Sequence, residues 1–174
     1  MSTATPPDDV SLRALGAQDT PAALAVINES ARWYEEFLPP EQLHPQEMTP
    51  AQFDAESARM NWFGAFACAQ LVAVMALEPR GELALIRHGY VLPGWQRRGV
   101  GGMLLSHLER VACVPRIVIG TYAQNYKARS SLEKAGYRLC ADSTAVLQQW
   151  FAIDAERARG SVAYEKALEP AAAA

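Results

Sequence analysis

The chain has 174 residues, of which 50% are hydrophobic and 20% are charged, and its formal net charge at pH 7 is −3. This length suits a single domain whose core is large enough to fold without disulfide bonds. The negative charge argues against a general nucleic-acid binder, and no apolar run approaches the roughly 20 residues of a membrane helix. Because the N-terminus also lacks a hydrophobic signal segment, we expect a cytoplasmic protein that associates with neither nucleic acid nor membrane.

The cysteines and histidines do not indicate a metal site. Cys68, Cys113 and Cys140 lie in apolar stretches, and the sequence has no CxxC pair or Cys/His cluster. Free cysteine is among the most often buried residue types, so these three are predicted to be reduced thiols in the core.

Turn signals and periodicity predict one domain over residues 10–168, between disordered tails at 1–9 and 169–174. A helix begins at Asp19-Thr20-Pro21, where an N-cap candidate precedes a proline in the first turn, and it continues to Phe37. In chain order, the first half of the chain is predicted to contain a strand over 10–15, that helix, a short helix over 50–59, and strands over 62–68, 71–77 and 82–92.

The second half continues the alternation of helices and strands. A helix is predicted over 99–111, with Val100, Leu104, Leu108 and Val111 on one face. A continuously apolar strand over 116–121, a helix over 125–135, an extended segment over 137–139, and strands over 147–153 and 161–168 follow. The resulting order β-α-α-β-β-β-α-β-α-β-β is a mixed α/β arrangement.

The most informative segment is a strand that runs into a glycine-rich turn and then into a helix. Gly99, Gly101 and Gly102 lie close together, and Arg97 and Arg98 precede them. Backbone N–H groups of such a turn and the positive end of the helix dipole form a site for phosphate. Two arginines beside it reverse the negative sign of the whole protein, which favours a pyrophosphate ligand.

Two nucleotide-binding motifs fit this turn poorly. Gly94 and Gly99 have the GxxxxG spacing of a P-loop, but Val100-Gly101 stands where Lys-Ser/Thr should follow. A dinucleotide-binding turn also fails, because Leu104 stands where the third glycine belongs. A glycine-rich connection without a ligand is the remaining structural alternative.

Two motifs in this order resemble the GCN5-related N-acetyltransferase (GNAT) superfamily. The first is V-x-P at 91–93 followed by Q-x-x-G-x-G at 96–101, and the second is N-x-x-A at 125–128 followed by E-K-A-G-Y at 133–137. The resemblance spans about 10–168 and is most specific over 83–137. It implies an α/β (α+β) fold in which a mixed sheet of six to seven strands splays at the cofactor cleft and about four helices flank the sheet.

The resemblance also implies the cosubstrate and its site. Acetyl-CoA would lie in the gap between strands 82–92 and 116–121, with its pantetheine arm paired to the first strand and its pyrophosphate on the amides of the glycine turn. No metal is implied. The expected cofactor-binding residues are Tyr90, Val91, Leu92, Gln96, Arg97, Arg98, Gly99, Val100, Gly101, Gly102, Met103, Asn125 and Ala128.

The implied reaction is direct attack of an amine on the thioester, for which a base or a water chain must remove a proton. His88 has a suitable side chain for this role, although a hydrogen-bonded structural histidine is the simpler interpretation. Arg87 would instead favour a substrate carboxylate or pair with an acid. These two residues alternate on a regular strand, so only one faces the cleft unless a bulge resets the phase.

The sequence departs from the family at the general acid. Leu132 occupies the position where members commonly carry the tyrosine that acts as general acid, and leucine cannot donate a proton. Tyr122, Tyr126, Ser131 or water are the candidates to replace it. A non-catalytic acyl-CoA-binding or regulatory module on the same scaffold is therefore the alternative to the leading hypothesis.

The leading hypothesis is an acetyl-CoA-dependent N-acetyltransferase acting on an amine of a small molecule, amino acid derivative or peptide. Trp33 and Tyr34 stand beside Glu35 and Glu36, and aromatic and acidic groups together suit a cationic amine. The same cluster is also consistent with a core tryptophan beside a solvated acidic face. Dimers are common in the family, so a homodimer through the C-terminal strands is an expectation as well.

Overall fold

The computed structural model of the chain describes residues 9–169. The predicted tails fall almost entirely on residues outside this range, and that prediction stays a prediction. A seven-stranded sheet runs through the described residues, in agreement with the six to seven strands expected. Its strands are β1 (Val10–Ala14), β2 (Asn61–Ala67), β3 (Gln70–Arg80), β4 (Leu83–Val91), β5 (Arg116–Tyr122), β6 (Arg138–Leu139) and β7 (Ser161–Ala167).

The strand order across the sheet is β1-β2-β3-β4-β5-β7-β6. All neighbouring strands are antiparallel except β4 and β5, which are parallel. A parallel pair requires a crossover connection, and a helix supplies it between these two strands.

The described residues form six α-helices. Side-chain oxygens of Asn125, Asp142 and Asp154 cap three of them by accepting from backbone N–H groups of the first turn. None of the helices within residues 9–169 is long and apolar enough to span a bilayer. The helices are α1 (Thr20–Ser30), α2 (Pro50–Ser57), α3 (Val100–Ala112), α4 (Tyr126–Lys134), α5 (Ser143–Phe151) and α6 (Ala155–Arg159).

The strand predicted over 147–153 is wrong, because residues 147–151 belong to α5 and residues 152–153 follow its end. Val146, Leu147, Trp150 and Phe151 recur at helical spacing and pack as one face against the sheet. Asp142 Oδ1 accepts from Ala145 N at 3.0 Å and starts the helix. The aromatic and branched composition favoured a strand, but the cap and the spacing decide for a helix, and α5 and α6 raise the number of helices above the expected four.

Two smaller expectations are also corrected. The first helix ends at Ser30 and continues as a 3₁₀ turn over Ala31–Glu36, so the predicted helix to Phe37 is too long. Cys140 is buried as predicted, but Cys68 and Cys113 are exposed. Both exposed cysteines lie at element ends with a left-handed backbone, at φ 53° and 50°, where the chain turns toward solvent.

Side-chain alternation along the strands distributes the helices over two faces of the sheet. Ile86 packs in a cluster with α3 and α4, whereas its neighbour Leu85 packs with α5. Val74 packs with α1 and α2, whereas its neighbour Ala73 packs in the cluster of α3. Hence α3 and α4 cover one face, and α1, α2 and α5 cover the other.

The parallel strands β4 and β5 separate part of the way along their length. They are paired only where Leu83–Ile86 lies beside Arg116–Ile119. Beyond this point β4 remains paired with β3 and β5 remains paired with β7. The sheet therefore opens into a gap between the C-terminal ends of β4 and β5, as the resemblance implied.

Candidate functional site

A β-bulge in β4 lies where the gap opens. Ala76 faces Arg87 and Val74 faces Tyr90, so β4 uses one more residue than β3 over the same distance. His88, inside the bulge, has a left-handed backbone with φ 53°. That conformation costs a non-glycine residue about 1–3 kcal/mol and is sparsely populated outside turns and functional sites. The bulge resets the alternation, and both Arg87 and His88 contact residues on the face of α2 and α5.

His88 is held on two sides. Its Nε2 lies 3.0 Å from Glu56 Oε2 of α2, and its ring stacks on Trp62 with centroids 5.3 Å apart. The hydrogen bond from His88, together with Arg59, lowers the pKa of the Glu56 carboxyl to about 2. The ring is therefore fixed in orientation beside an ionised carboxylate.

Arg87 forms an ion pair with an acidic residue, which was one of the two roles expected for it. Its guanidinium bonds Glu78 Oε2 at 3.1 Å and the carbonyl oxygen of Phe151 at 3.1 Å. Burial lowers the pKa of Arg87. Glu78, with a side chain only 2% exposed, also pairs with Arg59 and Arg80, so one buried carboxylate holds three arginines.

The last residues of β4 present backbone groups to the gap. Leu92 N donates to Val72 O at 2.9 Å and so points toward β3. Hydrogen-bonding directions alternate along an antiparallel ladder, so the N–H and C=O of Val91 point the other way, into the gap. The Val91 carbonyl accepts from Gln96 Nε2 at 3.0 Å, which ties the glycine turn to the strand.

The glycine turn has the geometry that its sequence predicted. Gly99 is the N-cap of α3 with φ 79°, and Arg97 is also left-handed with φ 62°. No side chain caps α3, and Met103 N donates to Gly99 O at 2.9 Å, so the amides of residues 100–102 lack a partner within the helix.

The predicted loop residues lie together at one corner of the gap. Arg97 and Arg98 lie at its surface, and the Arg98 guanidinium lies 5.0 Å from the Trp95 ring. A Cβ on Gly101 would lie 3.4 Å from Val91 Cγ2, so α3 starts against the end of β4. Free amides, a helix dipole and two cations fit the pyrophosphate of a CoA thioester. The residues brought together here are Gln96, Arg97, Arg98, Gly99, Val100, Gly101, Gly102 and Met103.

Asn125 lies buried on the opposite side of the gap, at the start of α4. Its Oδ1 accepts from Ala128 N and from Trp33 Nε1, both at 3.2 Å. Trp33 also packs edge-on against Tyr126, and Lys127 Nζ lies over its ring, 3.3 Å from the ring centroid. Trp33 thus connects the 3₁₀ turn after α1 with α4, whereas Tyr126 is 64% exposed.

Tyr34 belongs to an aromatic cluster on the face of α1 and α2, and Phe37 connects this cluster with Trp33. Its hydroxyl donates to Tyr90 OH at 3.2 Å, and Tyr90 OH donates to Glu47 Oε1 at 3.1 Å. The ring of Tyr122, at the end of β5, lies 5.2 Å from the ring of Tyr34. Burial raises the pKa of both Tyr34 and Tyr90, so both hydroxyls keep their protons.

A small cavity of about 70 Å³ opens beside this cluster and is lined by Tyr34, Glu35, His44 and Glu47, among others. A second, more open cavity of about 350 Å³ shares His44 and Glu47 with it. Sequence reasoning missed Glu47, Glu56 and Glu78. Glu47 lies in a loop without a motif. Glu56 contacts His88, which is 32 residues away, and Glu78 contacts Arg59, which is 19 residues away.

Leu132 is buried in the cluster of α3 and α4, so the position at which the family commonly has tyrosine is part of the core. Within residues 9–169, no group of three or more His, Cys, Asp or Glu side chains is arranged to hold a metal ion.

Solved acetyltransferases have the same fold. The chain is similar to PaiA N-acetyltransferase from Thermoplasma acidophilum in complex with coenzyme A, with TM-score 0.70 and 19% identity over 91% of this chain and 99% of that chain. It is similar to the ribosomal-protein-S18-alanine N-acetyltransferase from Escherichia coli, with TM-score 0.66 and 18% identity over 95% and 96% of the two chains. An acetyltransferase from Thermus thermophilus is similar at TM-score 0.67 and 19% identity over 97% and 100%.

At the level of sequence, no curated protein matches the chain. The family model described as acetyltransferase (GNAT) family matches residues 27–137, which is more than half of the chain and includes the bulge, the glycine turn and the start of α4. The chain belongs to the GNAT family of acetyltransferases.

Proposed function

We propose that the chain is an acetyl-CoA-dependent N-acetyltransferase that transfers the acetyl group directly to an amine of a small molecule, amino acid derivative or peptide. One observation carries the proposal. β4 and β5 separate next to the N-terminal end of α3. This helix end carries two arginines and backbone amides that have no partner within the helix. Beside it, the N–H of Val91 at the edge of β4 is directed into the gap. This combination suits a thioester that carries a pyrophosphate.

On the donor side, the amides of residues 100–102 and the charges of Arg97 and Arg98 would hold the pyrophosphate. The edge of β4 would pair with the amide-bearing arm of the thioester, as an added strand does. The N–H of Val91 would donate to the thioester oxygen and stabilise the negative charge that develops there during attack.

His88 is the proposed base. It lies in the bulge at the mouth of the gap, and its strained φ of 53° is maintained although glycine would adopt it more easily. In the transfer, the amine nitrogen forms a bond to the carbonyl carbon, the carbon–sulfur bond breaks, and His88 takes the proton that the nitrogen loses.

Tyr122 is the proposed acid that returns a proton to the departing sulfur. It lies at the end of β5 on the edge of the gap, and its ring contacts Tyr34 and Phe37. Tyr126, the alternative, is 64% exposed and packs on Trp33 instead. A thiol has an ordinary pKa near 8.5, so the leaving group needs only modest help.

The acceptor amine is proposed to enter from the face of α1 and α2. Tyr34, Glu35 and Glu47 line the cavity there, and aromatic rings with carboxylates suit a cation. Arg87 is already paired with Glu78, which favours its role as the partner of an acid over a role in binding a substrate carboxylate.

The test is release of CoA thiol when the full chain is incubated with acetyl-CoA and a panel of primary amines. We expect release with at least one amine, a loss of about 100-fold or more in kcat for His88→Ala, and a smaller loss for Tyr122→Phe. Tyr126→Phe tests the other hydroxyl. A loss at Tyr126 with none at Tyr122 would reverse the assignment of the acid.

A non-catalytic acyl-CoA-binding module is the second candidate, because Leu132 is buried in the core at the usual position of the acid. Binding alone raises thermal stability by mass action. A rise in Tm with acetyl-CoA, without thiol release for any amine in the panel, would favour this second candidate over the transferase.

A further inference from the structure

Glu56 approaches the proposed base from a different element. It lies on α2, whereas His88 lies on β4, and Glu56 Oε2 is 3.0 Å from His88 Nε2. The other carboxylate oxygen accepts from the Arg59 guanidinium one turn later in the chain. Each oxygen therefore has its own partner, and the carboxylate cannot rotate away from the imidazole without losing both.

The charge state of Glu56 determines which atom carries the hydrogen. The pKa of this carboxyl is lowered to about 2, chiefly by the hydrogen bond with His88 and then by that with Arg59. At neutral pH the carboxylate is ionised and can only accept. The hydrogen of the bond must therefore be on Nε2, and in the neutral imidazole Nδ1 is then the acceptor.

The ring plane is fixed by packing as well as by this bond. Trp62 stacks on His88 with an interplanar angle of 24° and on Phe53 with a centroid distance of 4.4 Å. Trp62 Nε1 donates to Ser57 Oγ at 2.9 Å, which holds the indole against α2. A 180° flip of the imidazole would keep the stack but place Cε1 where Nε2 now faces Glu56, so the bond to Glu56 selects one of the two ring orientations.

His88 Nδ1 has no hydrogen-bond partner among residues 9–169. Within this range, the fully buried side-chain polar atoms that lack a partner are the hydroxyls of Ser30 and Tyr137. Nδ1 is not among them, so it is accessible to solvent. Because the His88 side chain is 23% exposed, a substrate or solvent molecule can reach it.

We infer that Glu56 is a positioning residue for the proposed reaction, one that holds His88 as the Nε2–H tautomer and so leaves Nδ1 to accept the proton of the acceptor amine. Glu56 then also stabilises the imidazolium that forms when the proton arrives, as a buried carboxylate does for the histidine of a hydrolase triad. The inference rests on the proposed function, because it assigns a partner to the base of that reaction.

Other charges near the imidazole act on it less directly. Arg59 follows α2, β3 contributes Glu78 and Arg80, and β4 contributes Arg87. Arg80 pairs with Glu78 and has no bond to Glu56 or His88 within the described part of the chain. Arg80→Gln therefore removes an ion pair from the same cluster without touching the positioned imidazole, and it serves as the matched control.

Nitrogen NMR of the imidazoles in the full chain tests the tautomer without requiring activity. The chain has three histidines, so His88→Gln assigns the signal. At pH 7 we expect a protonated Nε2 and an unprotonated Nδ1 in the wild-type chain and in Arg80→Gln. In Glu56→Gln the amide oxygen is needed to accept from Arg59, so the amide nitrogen faces His88 and donates to Nε2, and we expect the hydrogen to move to Nδ1. A wild-type signal with Nε2 unprotonated, or no change in Glu56→Gln, would overturn the inference.

The kinetic readout distinguishes positioning from simple stabilisation. We expect Glu56→Gln to lower kcat by about 100-fold or more and to leave the KM for acetyl-CoA within about twofold. Arg80→Gln should keep the wild-type kcat even if its Tm falls. A wild-type kcat in Glu56→Gln would overturn the inference. A wild-type chain that releases no thiol would refute the proposed function itself, while the NMR result would still decide whether Glu56 orients the ring.

Discussion

Replacing Gly101 by leucine tests the link between the glycine turn and the end of β4. A Cβ at this position would lie 3.4 Å from Val91 Cγ2, so alanine fits after a shift of a few tenths of an ångström. The further carbons of leucine must displace Val91 or enter the gap between the strands. Overpacking of this kind costs about 1–3 kcal/mol, which for a domain of this size lowers Tm by roughly 2–12 °C.

The decisive quantity is the rise of Tm with ligand. At a concentration of 100 Kd, a ligand stabilises a wild-type domain by about 2.7 kcal/mol, or roughly 5–11 °C at this size. We expect acetyl-CoA and CoA to raise the Tm of the wild-type chain by this amount and ATP to raise it less. The rise with acetyl-CoA should largely persist in Gly101→Ala and should be absent in Gly101→Leu. A leucine variant that titrates like the wild-type chain would refute the placement of the CoA thioester against Val91 and the glycine turn.

Three further results are expected. Glu78→Ala removes the acid that pairs with three arginines, so the free energy of unfolding measured in urea should fall by about 3–5 kcal/mol; a change below about 1 kcal/mol would contradict this. The pKa values of Asp19 and Glu56 are lowered to about 2, so their contribution to stability is complete above the unfolded value near 4 and is lost as the pH falls toward 2. Urea unfolding at pH 5, 4 and 3 should therefore show a small loss of stability down to pH 4 and a larger loss from pH 4 to pH 3, with smaller losses in Asp19→Asn. Leu132→Tyr should lower Tm without raising kcat, because residue 132 is buried in the core.

The features that the sequence predicted correctly depend on local patterns. The start of α3 follows from Gly99 and the apolar stripe beginning at Val100, because a left-handed N-cap and helical periodicity are both readable from neighbours. The helix predicted over 125–135 and the buried strand over residues 116–121 are of the same kind. For these elements, local preference and tertiary packing agree.

One feature was missed although its signals are local. Residues 147–151 have a composition typical of strands, but the Asp142 cap and the helical spacing of the apolar residues make this segment helical. The other missed features depend on distant contacts. The bulge at His88 appears only when β4 is aligned with β3. Glu56 is 32 residues from His88 in the chain, so no spacing rule relates the two.

The central claim is that this chain moves an acetyl group from a CoA thioester to an amine. The most direct measurement uses acetyl-CoA labelled in the acetyl group, with the thiol quantified by its colour reaction and the labelled product by mass spectrometry. We predict one labelled N-acetyl group per thiol released, with both quantities lowered in parallel by His88→Ala. Thiol release without any acetylated amine, or binding of acetyl-CoA without thiol release for every amine offered, would contradict the account.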